Sequence, residues 1–240
     1  MPYYFYGFDW TYLAVVLPCL LLAFWASSNV NNTFKRYSKI SSSQGITGKQ
    51  AAERILKSHG IANISIQRVN GNLTDHYDPK SNVIRLSDSV YDSTSVSAIG
   101  VACHEAGHAV QYAQNYFPIK LRSAIIPITN IGSKLAIPLI LLGILFSAAG
   151  YYSYTFVYLG IGCFSLSAVF QLITLPVEFN ASRRAIEAIR VTGILQSEEL
   201  TGAKKTLTAA ALTYVAALAV SLAQLLRLIV LFGGRRRRYD

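Results

Sequence analysis

AIGVACHEAGHAVQYA, residues 98–113, contains H-E-x-x-H, with His104 and His108 four positions apart. At about 100° of rotation per residue, a helix through this stretch sets Ser97, Gly100, Val101, His104, His108, Gln111 and Tyr112 on one side. Ile99, Ala102, Ala106, Ala109 and Ala113 fall opposite. Two imidazoles one turn apart suit a metal ion, and the small back of the helix suits close packing. Glu105 stands about 100° round from His104, beside a metal rather than on it, where H-E-x-x-H sites keep a general base. Cys103 is turned off the histidine face by the same rotation and is expected to be buried packing.

A catalytic zinc takes three protein ligands and leaves one position open, so one more donor is required. The remaining histidines are His59, in the closing turn of GKQAAERILKSHG, and His76, in a strand flanked by turns. His59 is better placed to meet the negative end of its helix dipole. Among downstream carboxylates, Glu187, Glu198 and Glu199 lie in a charged stretch and are expected on a solvated surface. Glu178, in LPVEFNASRRA, directly follows an apolar run, and the helix can resume after Pro176. It is the expected third ligand.

Upstream, Thr47 precedes Gln50 by three residues, a capping-box spacing that starts the helix ending at Gly60. NISIQRV, LTDHY and VIRLS then alternate or run as strands between the turns NGN and DPKSN. They predict a small antiparallel sheet ahead of the motif helix, with VIRLS as a free edge that could pair with extended substrate.

The rest of the chain explains the setting. Of 240 residues, 52% are hydrophobic and 14% charged, and the mean hydropathy is +0.35, which favours the membrane class. The net charge of +10 comes from residues beside apolar runs, not interleaved with aromatics on one module, so nucleic acid is not an expected partner. Cys19, Cys103 and Cys163 form no disulfide framework. Apolar runs cover Trp10 to Ala26, Ser133 to Tyr152, Tyr154 to Leu175 and Thr206 to Phe232, each near the roughly 20 residues a bilayer span needs. The first follows YYFYGFDW with no lysine or arginine before Lys35, which predicts a retained anchor. Lys134 stands at the expected entrance of the second run, where it can snorkel. These features divide the chain into an anchor (1–27), a linker and catalytic region (28–122), a transmembrane hairpin (123–176), a helix with the third ligand (177–205), and a final span with a basic tail (206–240). The fold class is an integral membrane protein, mainly α with about four transmembrane helices, plus a small α+β part carrying H-E-x-x-H. The spans hold almost no ionisable groups, which argues against a transporter.

With TDHYDP, LRS, HEAGHAVQYA and LPVEFNASRRA in this order, an anchor before them and a hairpin between the last two, the chain resembles the YugP-type bacterial membrane-bound neutral zinc metallopeptidases. It is more distantly similar to HtpX-type and CaaX-prenyl-type membrane proteases. The resemblance implies a zincin-like, gluzincin-like zinc metalloendopeptidase: one zinc ion on His104, His108 and Glu178, with Glu105 as general base and later proton donor. The distant relatives carry aspartate four residues after the ligand glutamate, where this chain has Ser182; Asn180 is the other local candidate to support a histidine. Oxyanion candidates are His76, Tyr112, Arg183 and Arg184.

Glu178 stands three residues past the third apolar run, roughly 5 Å of helix rise. The expectation is therefore a site at the membrane interface, acting on peptides or membrane proteins. Lys35, Arg36, Lys39, Lys120 and Arg122, with Arg183, Arg184, Arg190, Lys204 and Lys205, predict a cytoplasmic face of the cell membrane. With four spans, Arg235 to Arg238 would fall on the other side. The competing expectation is a non-enzymatic membrane scaffold with a structural metal site.

Overall fold

The structure is a computed structural model that describes residues 4–5, 8–148 and 154–233. The chain divides into two compact units, one of residues 1–25, 121–175 and 214–240, the other of residues 26–120 and 176–213.

The first unit is built from the apolar stretches of long helices whose remaining turns belong to the second unit. Short strands β1 (Tyr4–Phe5) and β2 (Phe8–Asp9) pair antiparallel, and a π-helical turn at Tyr12–Val16 leads into α1 (Leu17–Tyr37). The others are α4 (Phe117–Ala148), α5 (Thr155–Thr192) and α6 (Ser197–Gly233). All four are long and apolar enough to cross a membrane. Phe24, Ile131, Ile137, Leu145 and Leu172 are exposed, as expected of residues facing lipid rather than water. Small residues let helices approach: a Cβ at Gly160 would stand 2.8 Å from the Ala136 carbonyl oxygen.

Two boundaries differ from expectation. The expected linker from Ser27 is helical as far as Tyr37. Asn31 donates to the Ser27 carbonyl at 2.9 Å, Lys35 and Arg36 lie in the last turn where cations suit the dipole, and Phe34 is buried. One anchoring residue per two turns is too sparse a pattern to show as a hydrophobic period. The second apolar run starts its helix at Phe117 rather than near Ser133, so Lys134 lies inside α4 and not at its start. Pro118 sits in the first turn, where a missing N–H costs nothing. The tyrosine-rich turn around Tyr151 and Tyr152, Tyr3, Tyr6 and Gly7 of the N-terminal aromatic stretch, and Arg235 to Arg238 lie outside the described residues.

The second unit holds α2 (Gly48–Ser58), β3 (Ser65–Val69), β4 (His76–Asp78), β5 (Val83–Ser87) and α3 (Val96–Ala113). The capping box forms: Thr47 Oγ1 accepts from the Gln50 N–H and Gln50 Oε1 from the Thr47 N–H. The sheet order is β3-β5-β4, with β3 parallel and β4 antiparallel to β5. This corrects the all-antiparallel expectation. β4 turns back onto β5 through 79–82, not onto β3, because Asp75 accepts from the Ser87 N–H at 2.7 Å and the Ser87 hydroxyl at 2.9 Å and so fixes the start of β4 at the end of β5. VIRLS is consequently the central strand, and β3 and β4 are the edges.

α3 buries 14 of its 18 residues, so it is covered on nearly all sides, and its alanines and glycines make room for that. Ile55, Leu56, Ile84, Leu86, Ile99, Ala102, Ala106, Ile189 and Ile194 share its core. Cys103 is fully buried there, and burial pushes its thiol up, away from reactivity.

Candidate metal centre

His104 and His108 stand one turn apart on α3 with ring centroids 4.7 Å apart and nearly perpendicular. Between them in the helix is Gly107, where a Cβ would lie 2.7 Å from the Ala181 carbonyl oxygen of α5. The absent side chain is what lets α5 come against the histidine turn. α5 runs through Pro176 without a break, and two residues later presents Glu178, 2% exposed, to both rings. Glu178 Oε2 lies 3.2 Å from Nε2 of His104 and 3.4 Å from Nε2 of His108. One ligand atom from each of the three residues falls within 4.8 Å of the others, the one such triad among the described residues.

This donor set fits a zinc ion. Two imidazole nitrogens and a carboxylate oxygen, all electron-pair donors, converge in a largely buried place and need a cation to face them. Their other ring atoms are occupied: His104 Nδ1 lies 3.1 Å from Ser182 Oγ, and His108 Nδ1 lies 3.0 Å from Gln111 Oε1. Outer partners of this kind orient metal-binding histidines.

Glu105 is buried on α3, to the side of the triad. Burial pushes its carboxyl up to about 7; the charges of Glu178 and Asp75 push the same way, while His104 and a hydrogen bond from the Tyr77 N–H pull it down. That N–H belongs to the edge strand β4, which thus touches the carboxylate directly. Asp75, itself raised by burial, anchors the strand just before this contact. The Tyr77 ring packs edge-on against Tyr112 with centroids 5.6 Å apart.

Other expected residues lie elsewhere. Strand alternation turns His76 and Asp78 to the face opposite Tyr77, with Arg85, which pairs with Asp78 at 3.1 Å. His76 is exposed with Nδ1 2.9 Å from the Thr74 carbonyl oxygen, and it is not part of this triad. His59 caps α2, its Nδ1 3.0 Å from the Ile55 carbonyl oxygen. Glu187 pairs with Arg190 at the surface and Glu198 is exposed. Glu199 instead caps α6 by accepting from the Gln196 N–H at 2.8 Å, and it also accepts from the Ser43 N–H at 2.6 Å. Arg183 is exposed, whereas Arg184 lies over the Tyr116 ring and donates to Asn180 at 2.6 Å.

The sequence reading placed Gln111 on the metal face without giving it a role. Its position three residues after His108, a polar side chain in an otherwise apolar turn, was the available signal.

Residues 12–233 match the protein family described as "Putative neutral zinc metallopeptidase". The chain is 46% identical over 225 residues to the "Putative membrane protease YugP" of Bacillus subtilis (strain 168), covering 94% of this chain and 98% of that one. No solved structure matches.

Proposed function

The chain belongs to this family of neutral zinc metallopeptidases, and from that premise we infer that it is a membrane-bound zinc endopeptidase acting at one centre. His104, His108 and Glu178 would hold one zinc ion. When bound it supplies Lewis acidity, polarising a peptide carbonyl and lowering the pKa of a water toward neutrality. Glu105 would take a proton from an attacking water as the water oxygen bonds to the carbonyl carbon, and return it to the amine as the C–N bond breaks. The observation that carries this reading is the convergence of three ligand atoms within 4.8 Å with a buried glutamate beside them.

Glu105, buried next to His104 in the sequence of α3, is placed to accept a proton and return it. The free edge of β4 offers main-chain groups to an extended peptide, next to the Tyr77 N–H that meets Glu105. Substrates are peptides or membrane proteins at the bilayer surface: Glu178 stands on the unbroken helix α5, three residues past the apolar run that ends at Leu175. The lysines and arginines flanking these segments favour the cytoplasmic face of the cell membrane.

Zinc content and casein cleavage of the detergent-purified protein test the reading. Glu178→Ala should lose zinc and cleavage together; Glu105→Gln should keep zinc and lose cleavage. Full zinc in Glu178→Ala would remove the third ligand. Zinc binding by the wild type without cleavage of any peptide would instead indicate a scaffold with a structural ion.

A further inference from the structure

Gln111 is fully buried in α3, and each end of its carboxamide has partners. Nε2 lies 2.9 Å from the Val177 carbonyl oxygen and 3.0 Å from Asn180 Oδ1, and Oε1 lies 3.0 Å from His108 Nδ1. A peptide carbonyl only accepts, so the nitrogen end of the amide must face Val177. The oxygen end then faces His108 and, carrying no hydrogen, must accept from it. His108 therefore holds a proton on Nδ1. In the neutral ring this leaves the lone pair on Nε2, the atom 3.4 Å from Glu178 Oε2.

Asn180 is fixed in the same manner, because Arg184 Nε can only donate to its Oδ1, at 2.6 Å. Arg184 also donates to Gln114. The chain of bonds ends on the main chain of Val177, the residue just before Glu178. His104 differs: Ser182 Oγ can donate or accept, so the bond there leaves either tautomer open.

We propose that Gln111 is a positioning residue for the metal centre, selecting the His108 tautomer whose Nε2 can bind a divalent cation and tying that ring, through Val177, to the segment of α5 that carries Glu178. This rests on His104, His108 and Glu178 being the metal ligands. Gln111 itself touches no metal or substrate and acts through His108.

The test uses the full chain in detergent, with zinc affinity measured by competition against a chromogenic chelator and ¹⁵N spectra of histidine-labelled protein. The chain has four histidines, few enough to assign by substitution. In metal-free wild type, His108 should show a protonated Nδ1; a bare Nδ1 overturns the proposal without any variant. Gln111→Met, similar in length but without hydrogen bonds, should weaken zinc binding by ~10–100-fold and mix the His108 tautomers. Gln111→Glu keeps the acceptor for His108 but loses the donor to Val177 and Asn180, so it should restore the tautomer and only part of the affinity. A packing role alone would lower the melting temperature of both variants while leaving tautomer and affinity as in wild type, which also overturns the proposal. Wild-type zinc affinity in Glu178→Ala would defeat the ligand assignment itself. Loss there with Gln111→Met unaffected would defeat only the positioning role.

Discussion

His104 and His108 occupy adjacent turns of one helix and point the same ring atom at the same carboxylate, yet they are held in different ways. His104 keeps 14% of its side chain exposed and leans on a single hydroxyl, Ser182, from α5. His108 is more buried and leans on a carboxamide whose other end is bonded to two oxygens of α5. The difference teaches that two like histidines need not be equivalently ordered: a hydroxyl adapts to either tautomer, whereas an amide with both ends engaged imposes one.

The largest expected effect separates chemistry from both histidines. Glu105→Gln should lower cleavage by ~10²–10⁴-fold while zinc content stays at the wild-type level, measured on the same samples. If zinc is lost as well, Glu105 holds the ligands and the contrast between the two rings is incomplete.

Next comes the pH dependence of stability in the metal-free protein. Glu105 is raised by burial from 4.5 to about 7, so its charged form is disfavoured in the folded state. Stability is then highest below its unfolded pKa and declines as pH rises toward 7, levelling off above. Removing the charge with Glu105→Gln should raise the melting temperature at pH 8 and change it little at pH 4, a difference worth about 3 kcal/mol at most. An equal shift at both pH values would show that burial does not perturb this carboxyl.

Gly107→Ala should cost about 1–3 kcal/mol, because its methyl group would meet the Ala181 carbonyl and force α5 away from α3. Zinc affinity should fall with it. A variant that melts like wild type and binds zinc normally would mean that the close approach is not required.

The smallest effect sharpens the comparison itself. Ser182→Ala should weaken zinc binding by less than about 10-fold, at the lower end of outer-partner effects, and by less than Gln111→Met. The reverse order would show that the hydroxyl, not the amide, is the firmer support.

Much of this was legible before any fold was built. The four apolar runs are one-dimensional signals, since length and hydropathy alone decide whether a helix can cross a bilayer. The histidine pair and Glu105 follow from helical rotation, and Glu178 from its place after an apolar run. The sheet was misread because strand pairing depends on which turn closes: NGN and DPKSN look alike as turn signals, and Asp75 bonding to Ser87 decides between them. The length of α1 was missed because its second half carries polar residues that bond within the helix.

Sequence alone determined the membrane class, the histidine face of α3 and the identity of the residues that converge, because local periodicity and residue chemistry suffice for each. Tertiary structure decided the mixed sheet with β4 at its edge, the approach of Ala181 to Gly107, and the different supports of His104 and His108. These depend on contacts between residues far apart in the chain, such as the 66 positions between Gln111 and Val177, whose pairing no local pattern encodes.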